Sequence, residues 1–117
     1  VVPVAAVKMV VARIALEHQE AWDGSGYPAG LKEEGIHVFS RIARVVDVLD
    51  SLLSERVYKK AWSVADAARH LREQRGRMLD PALVDILLAH QEEFLILREN
   101  IIQQSQDLEK EESEKKP

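Results

Sequence analysis

Residues 18–28 read HQEAWDGSGYP, and the rest of the chain can be interpreted outward from this stretch. It joins a periodic apolar segment to a turn rich in glycine and proline, so it places His18 where a helix ends and a shaped loop begins. Catalytic and binding residues are often found on such loops. The alternative is a purely structural turn, in which Gly24 and Gly26 supply unusual backbone angles and Pro28 stiffens the exit.

The overall composition narrows the classes of function. A chain of 117 residues with 46% hydrophobic content is predicted to form one domain. It has no cysteine, so a metal ion would be held by His, Asp and Glu, and its net charge of −4 argues against a nucleic-acid partner. No apolar run approaches the roughly 20 residues that cross a bilayer, and no signal-peptide pattern is present. We therefore expect a cytoplasmic location without membrane contact. Because the sequence opens on Val1, we also expect a portion of a longer protein.

The segment before the opening stretch is predicted to be a helix with Pro3 in its first turn. Its apolar residues recur at spacings of three and four, which define one helix face. This face comprises Val4, Val7, Val11, Ile14 and His18. His18 is therefore expected to point inward with the valines. It is either a core histidine with a local hydrogen-bond partner or a metal ligand held beside a fixed loop.

A second helix is predicted over residues 41–55, with Ser40 as its N-cap. Small and acidic residues recur along one of its faces, and Asp47 and Asp50 lie one turn apart there. They are either ordinary solvated residues or two carboxylates that face one cation. The second interpretation has a physical reason, because an interior aspartate needs a partner or a metal ion.

Residues 55–62, ERVYKKAW, form a basic and aromatic segment. Arg56 offers a planar guanidinium and Lys59 a compact ammonium, and both groups suit phosphate. The aromatic rings can stack or pack. A run of charges is also typical of a solvated connection between elements, so the segment is a candidate phosphate-binding site by composition only.

Two more helix starts are visible toward the C terminus. Ser63 and Asp66 resemble a capping box, and Asp80 is predicted to cap a helix that begins at the following proline. His37, in a predicted loop, and His70 are both expected at the surface. No strand pattern is present, so the chain is predicted to be an all-α helical bundle.

The last helix is predicted to be long, with an apolar seam at heptad-like spacing from Leu87 to Leu108. Such a seam fits a homodimer, although it spans only about three heptads. Residues 109–117 are almost purely charged and are predicted to be a disordered tail.

Several ordered blocks of this sequence resemble the C-terminal half of an HD-GYP domain. These blocks are residues 20–28 (EAWDGSGYP), 30–32 (GLK), 45–50 (VVDVLD) and 58–62 (YKKAW), with Arg41-Ile42, Arg56 and Asp80-Pro81. We expect residues 1–95 to form the HD-GYP-like portion, 96–108 a helical extension and 109–117 the tail. The resemblance implies a partial HD-domain-like fold with a long C-terminal helix. It also implies membership of the HD phosphohydrolases, whose active HD-GYP members hydrolyse cyclic di-GMP with two or three metal ions, often iron or manganese.

The resemblance further implies roles for individual residues. His18 matches the first of two adjacent metal-binding histidines, and Asp47 matches a metal-binding or metal-bridging aspartate. Arg56 and Lys59 match positions that contact the phosphates of the ligand. The signature loop, which is linked in the family to contacts with GGDEF-domain proteins, comprises Asp23, Gly24, Gly26, Tyr27 and Pro28.

The sequence departs from the family pattern at its metal ligands. Gln19 replaces the second histidine, and none of the four histidines is followed by aspartate, so the His-Asp pair is absent. A neutral amide is a poor substitute for imidazole on a transition metal. Val57 and His37 also replace two prolines of the pattern. Because a hydrolytic metal site needs several fixed ligands, the site is predicted to be incomplete or to bind no metal.

Two hypotheses follow from the resemblance and the departures. The first is a portion of a metal-dependent cyclic di-GMP phosphodiesterase in bacterial second-messenger signalling, without catalysis by these residues alone. The second is a non-catalytic HD-GYP-derived module for ligand sensing or protein–protein interaction. A helical bundle retained for dimerisation is a third and less specific hypothesis.

Overall fold

The computed structural model describes residues 2–115, and within them the chain is helical and contains no sheet. The helices are α1 (Val4–Glu17), α2 (Val38–Leu53), α3 (Val64–Gln74), α4 (Pro81–Ala89) and α5 (Gln91–Lys115), with a short 3-10 helix at Glu33–Gly35. The predicted all-α fold is confirmed. Val1 and the last two residues of the predicted tail lie outside the described residues.

The chain divides into two compact units, Val1–Asp85 and Ile86–Pro117. In the first unit, α2 contacts both α1 and α3. The buried apolar side chains of this unit come from the loops as well as the helices, and they are Ala21, Ile36, Val45, Ala67, Ala68, Leu71, Leu79 and Val84. The core therefore lies beside α2, where the loop that follows α1 meets α3 and the start of α4.

The predicted inward face of α1 is exposed. Val4 and Val11 are 69% and 60% exposed, Ile14 is half-buried, and the His18 side chain is exposed. The last turns of α1 make the connections to the rest of the unit, because the Arg13 carbonyl accepts from the Ser40 hydroxyl. His18 does lie on the same face as Val11 and Ile14, because all three line one groove, but this face is not buried as predicted.

The predicted N-cap of α2 is also wrong. α2 begins at Val38, its N-cap is His37, and the His37 Nδ1 atom accepts from the Phe39 backbone N–H at 3.1 Å. Ser40 is buried inside the helix. A tertiary contact places the start earlier, because the buried Glu17 carboxylate accepts from the His37 backbone N–H at 3.0 Å. His37 is accordingly half-buried rather than a surface residue.

The caps of α3 and α4 agree with the sequence. The Ser63 hydroxyl accepts from the Asp66 backbone N–H at 3.1 Å. The Asp80 carboxylate accepts from the Ala82 backbone N–H at 2.9 Å. His70 is half-buried, contrary to the prediction, because its ring packs edge-on against Trp62 with centroids 5.6 Å apart.

The predicted long C-terminal helix is two helices, with a turn residue, His90, between α4 and α5. Leu87 is buried in α4, so the predicted seam is not one continuous exposed stripe. α5 continues to Lys115, which differs from the disorder expected for residues 109–115. These residues are mostly glutamate and lysine, which favour helix. None of the helices described for residues 2–115 combines the length and apolarity needed to cross a membrane.

Candidate functional site

A groove of about 800 Å³ lies between the end of α1 and the middle of α2 in the first unit. Its polar lining consists of His18, Gln19, Arg44, Asp47 and Asp50, and its apolar lining comes from both helices. The structure thus brings together the two residues predicted as metal ligands, His18 and Asp47, which are far apart in sequence. It also places Asp47 and Asp50 in one site, as the helical spacing predicts.

The His18 imidazole is oriented by the end of α1. Its Nδ1 atom lies 3.1 Å from the carbonyl oxygens of Ile14 and of Ala15. Carbonyl oxygens only accept hydrogen bonds, so Nδ1 carries a proton in this contact, and in the neutral imidazole the lone pair is then on Nε2. A neutral imidazole held in this way can coordinate a cation or accept a hydrogen bond through Nε2.

Arg44 lines the same groove and contacts both residues at its α1 end. Its Nη1 atom donates to the Gln19 Oε1 atom at 3.0 Å and to the His18 carbonyl oxygen at 3.2 Å. Arg44 is not among the site residues predicted from the sequence. The available signal was its position one turn before Asp47, which places both side chains on neighbouring parts of the helix surface.

The donors present do not fit a metal pair. Across residues 2–115, no three His, Asp or Glu side chains are grouped closely enough to hold a metal ion. The other oxygen at the α1 end that could ligate a metal ion, Gln19 Oε1, already accepts a hydrogen bond from Arg44. Two cations that share a bridging water require several fixed ligands, so this groove alone cannot supply them.

The signature loop is fixed by a buried carboxylate. Glu20 is 2% exposed, and its Oε1 atom accepts from the Gly30 backbone N–H at 2.8 Å. Its carboxylate also accepts from the Leu31 backbone N–H. The loop is joined to the turn before α4 by the Asp23 backbone N–H, which donates to the Arg77 carbonyl at 2.8 Å. These contacts hold both ends of the loop in place.

The tip of the loop presents polar and aromatic groups. The Ser25 hydroxyl and backbone N–H both donate to the Asp23 Oδ1 atom, which lowers the pKa of Asp23. The Tyr27–Pro28 peptide bond is cis, and the Tyr27 side chain is 64% exposed. Gly24 has a φ of +86°, a conformation that glycine adopts readily. Asp23, Tyr27 and Pro28 are exposed and form the rim of the loop, whereas Gly24 and Gly26 are half-buried.

The predicted phosphate-binding residues lie on a separate turn after α2. The Arg56 N–H donates to the Lys59 carbonyl at 2.8 Å, and the Lys59 N–H donates back at 3.1 Å. The Lys59 ammonium donates to the Ser51 carbonyl at 2.6 Å, whereas the Arg56 side chain is exposed. Neither residue is among those that line the groove. The structure does not bring them together with His18 and Asp47 in one cavity.

A second cleft, of about 570 Å³, lies beside this turn. It is lined by side chains from the following segment and from α3, among them Lys60, Trp62, Asp66, Arg69 and His70. Arg69 is paired with Asp66 at the opening of α3. Because the lining of this cleft carries both positive and negative side chains, it does not indicate one class of ligand.

A family model described as an HD domain matches residues 2–83. The chain belongs to the HD domain family. This confirms the family resemblance read from the sequence, and the matched range ends near the start of α4.

Curated relatives narrow the HD-domain assignment to the HD-GYP type. A cyclic di-GMP phosphodiesterase response regulator of Xanthomonas campestris is 54% identical over 79 residues, which are 68% of this chain and 21% of that protein. A 3'3'-cGAMP-specific phosphodiesterase of Vibrio cholerae is 40% identical over 92 residues, 79% of this chain and 18% of the relative. A cyclic di-GMP phosphodiesterase of Thermotoga maritima is 40% identical over 83 residues, 71% and 23% respectively. The chain thus spans about a fifth of the length of these relatives.

Proposed function

We propose that this chain is a portion of a metal-dependent cyclic di-GMP phosphodiesterase of the HD-GYP type, and that these residues alone do not hydrolyse the ligand. The observation that carries the proposal is the groove, where His18 and Asp47 face one cavity without a third grouped metal donor in the described part of the chain. The iron or manganese implied by the family needs ligands beyond these two. The proposed setting is bacterial second-messenger signalling in the cytoplasm.

The proposed ligand is a cyclic dinucleotide. The relatives are named for cyclic di-GMP and for 3'3'-cGAMP, which share two phosphodiester groups, and we favour cyclic di-GMP because both of the other relatives described above carry that name. Arg56 is the proposed phosphate contact, since its guanidinium is exposed and can form paired hydrogen bonds. Lys59 is the second, and its ammonium can keep its bond to Ser51 while donating to phosphate, because it has three protons.

A non-catalytic module for ligand sensing or protein interaction is the second candidate. The exposed rim of the signature loop favours it, because the loop is held by Glu20 whether or not a metal is bound. The proposed protein partners are GGDEF-domain proteins, which would contact the Tyr27 side of the loop.

Calorimetric titration of the chain with cyclic di-GMP, with and without manganese, tests the ligand. We expect binding without turnover, and we expect Arg56→Ala to weaken binding by about 10-fold or more, because a charge-assisted hydrogen bond contributes about 1.5–3 kcal/mol. Arg72→Ala, which removes an exposed arginine of α3, is the matched control and should bind normally. Turnover that Asp47→Ala abolishes would show that the portion is catalytic. Absence of binding would refute the proposed ligand.

We also propose that the chain forms a homodimer through α5. Four exposed apolar residues of α5 lie at a and d positions of a heptad, and they are Phe94, Leu97, Ile101 and Leu108, whereas the exposed Ile96 lies off this seam. Gln104 occupies the d position between the last two. In a parallel dimer each Gln104 amide would meet its own copy, which supplies both a donor and an acceptor. The proposed seam is therefore residues 94–108, shorter than the sequence predicts because Leu87 is buried.

Cysteine substitution tests this seam, because the chain has no cysteine of its own. Gln104→Cys is expected to form a disulfide-linked dimer under mild oxidation, since equivalent d positions face each other in a parallel pair. Gln106→Cys makes the same chemical change on the outer face of the helix and should stay largely uncrosslinked. Equal yields for the two variants, or a strict monomer by light scattering, would contradict the proposal.

A further inference from the structure

We infer that Arg44 is the resident cation of the groove and that its hydrogen bond to Gln19 keeps a divalent metal ion from the α1 end of the site. The inference rests on the proposed function only in taking this groove as the ligand site. It explains how the groove keeps its shape with an incomplete set of metal ligands. It also assigns a role to Arg44, for which the family resemblance implies none.

The position of the Arg44 side chain is well determined by its contacts. Nη1 donates to two acceptors on consecutive residues, the Gln19 side chain at 3.0 Å and the His18 carbonyl at 3.2 Å. The Nε atom is buried, and no described residue accepts a hydrogen bond from it. A guanidinium remains charged at every pH at which the protein is folded. A permanent positive charge is therefore fixed in the wall of the groove.

This charge opposes metal binding in two ways. Amide oxygens such as Gln19 Oε1 are ligands for hard cations, but this oxygen is already engaged by the guanidinium. A divalent ion placed on it would also lie within a few ångströms of a like charge. The other donors of the groove, His18 and the two aspartates, do not form a three-ligand group that would offset this repulsion.

The positive charge of Arg44 also stabilises the C-terminal end of α1. α1 ends at Glu17, and His18 is its C-cap. Positive groups at a helix C terminus bond the last carbonyl groups and stabilise the negative end of the helix dipole. Arg44 does so through the His18 carbonyl, and it therefore holds the main chain at the end of α1.

The test is titration of the full chain with Mn²⁺ alone, followed by calorimetry and metal analysis after desalting. Wild type is expected to bind Mn²⁺ only weakly, with a dissociation constant in the millimolar range. Arg44→Lys keeps the charge and should behave like wild type, whereas Arg44→Met removes the charge at similar length and should bind at least about 10-fold more tightly. Gln19→His combined with Arg44→Met adds an imidazole and should retain about one ion, with affinity at least 100-fold above wild type, since each ligand or orienting contact typically changes affinity 10–100-fold.

Two results would overturn the inference. The first is stoichiometric, micromolar Mn²⁺ binding by wild type that is lost in Gln19→Ala. The second is equal Mn²⁺ affinity for Arg44→Lys and Arg44→Met, each checked by circular dichroism to be folded. The comparison of Arg44→Lys with Arg44→Met tests the inference even if the double variant fails to fold. Because no cyclic dinucleotide is present, failure here is distinct from failure of the proposed ligand.

Discussion

Gly26→Ala is expected to lower the free energy of unfolding by about 3 kcal/mol or more, enough to unfold much of the population of a small domain. A Cβ atom built on Gly26 would lie 2.4 Å from the Ala21 backbone nitrogen and 2.4 Å from the Gln19 carbonyl oxygen. It would also lie 2.6 Å from the Glu20 Cα atom. All three are main-chain atoms, so no side chain can rotate away to make room, and Gly26 must separate from residues 19–21.

Urea unfolding followed by circular dichroism measures this loss, with Gly35→Ala as the matched control. No described heavy atom lies within 4 Å of a Cβ atom at Gly35. Its substitution should leave stability unchanged or raise it by up to about 1 kcal/mol, because alanine restricts the unfolded chain. A Gly26→Ala midpoint equal to that of Gly35→Ala would mean that the loop is not pressed against residues 19–21.

The local features of this fold could be read from the sequence because their partners are neighbours in the chain. Ser63 caps the amide three residues later, and Asp80 caps the amide two residues later. Capping depends on residue type and short spacing, so both starts were predictable. Gly26 is required for a different reason from the one predicted, because its φ is not positive and the crowding comes from main-chain atoms of residues 19–21.

The features that the sequence did not predict depend on distant partners. Glu17 places the start of α2 by binding the His37 amide across 20 residues, which overrides the better capping residue Ser40. No local pattern signals such a contact. The exposure of the α1 valines has the same origin, because periodicity identifies an apolar face but not whether anything covers it.

In the candidate site too, the features set by local spacing were predictable and those set by distant residues were not. Helical spacing on α2 predicted that Asp47 and Asp50 share a site, and the family resemblance implied that His18 and Asp47 do. All three residues line the groove. The engagement of Gln19 by Arg44 joins residues 25 apart and required the structure. The sequence also could not say that Arg56 and Lys59 form a separate turn, because that depends on how the chain leaves α2.

Asp80→Ala is expected to lower the free energy of unfolding by about 3–5 kcal/mol, the usual cost of removing one partner of a buried ion pair. The Asp80 Oδ2 atom lies 2.5 Å from Arg41 Nη1, and the two side chains are only 4% and 17% exposed. Arg41 cannot turn to water, because its Nε atom donates to the Ile36 carbonyl and its guanidinium lies over the Trp22 ring. The variant would therefore leave a charge without its partner in the core.

Two variants separate the ion pair from the helix cap in the same urea experiment. Asp80→Asn retains an oxygen for the Ala82 amide but loses the charge, so it should recover only about 1 kcal/mol relative to Asp80→Ala. Asp85→Ala breaks the Arg75–Asp85 pair, whose side chains are 49% and 54% exposed, and should change the midpoint little because water replaces the lost contact. If Asp80→Ala were no more destabilising than Asp85→Ala, the Arg41–Asp80 pair would not be what joins α2 to the start of α4.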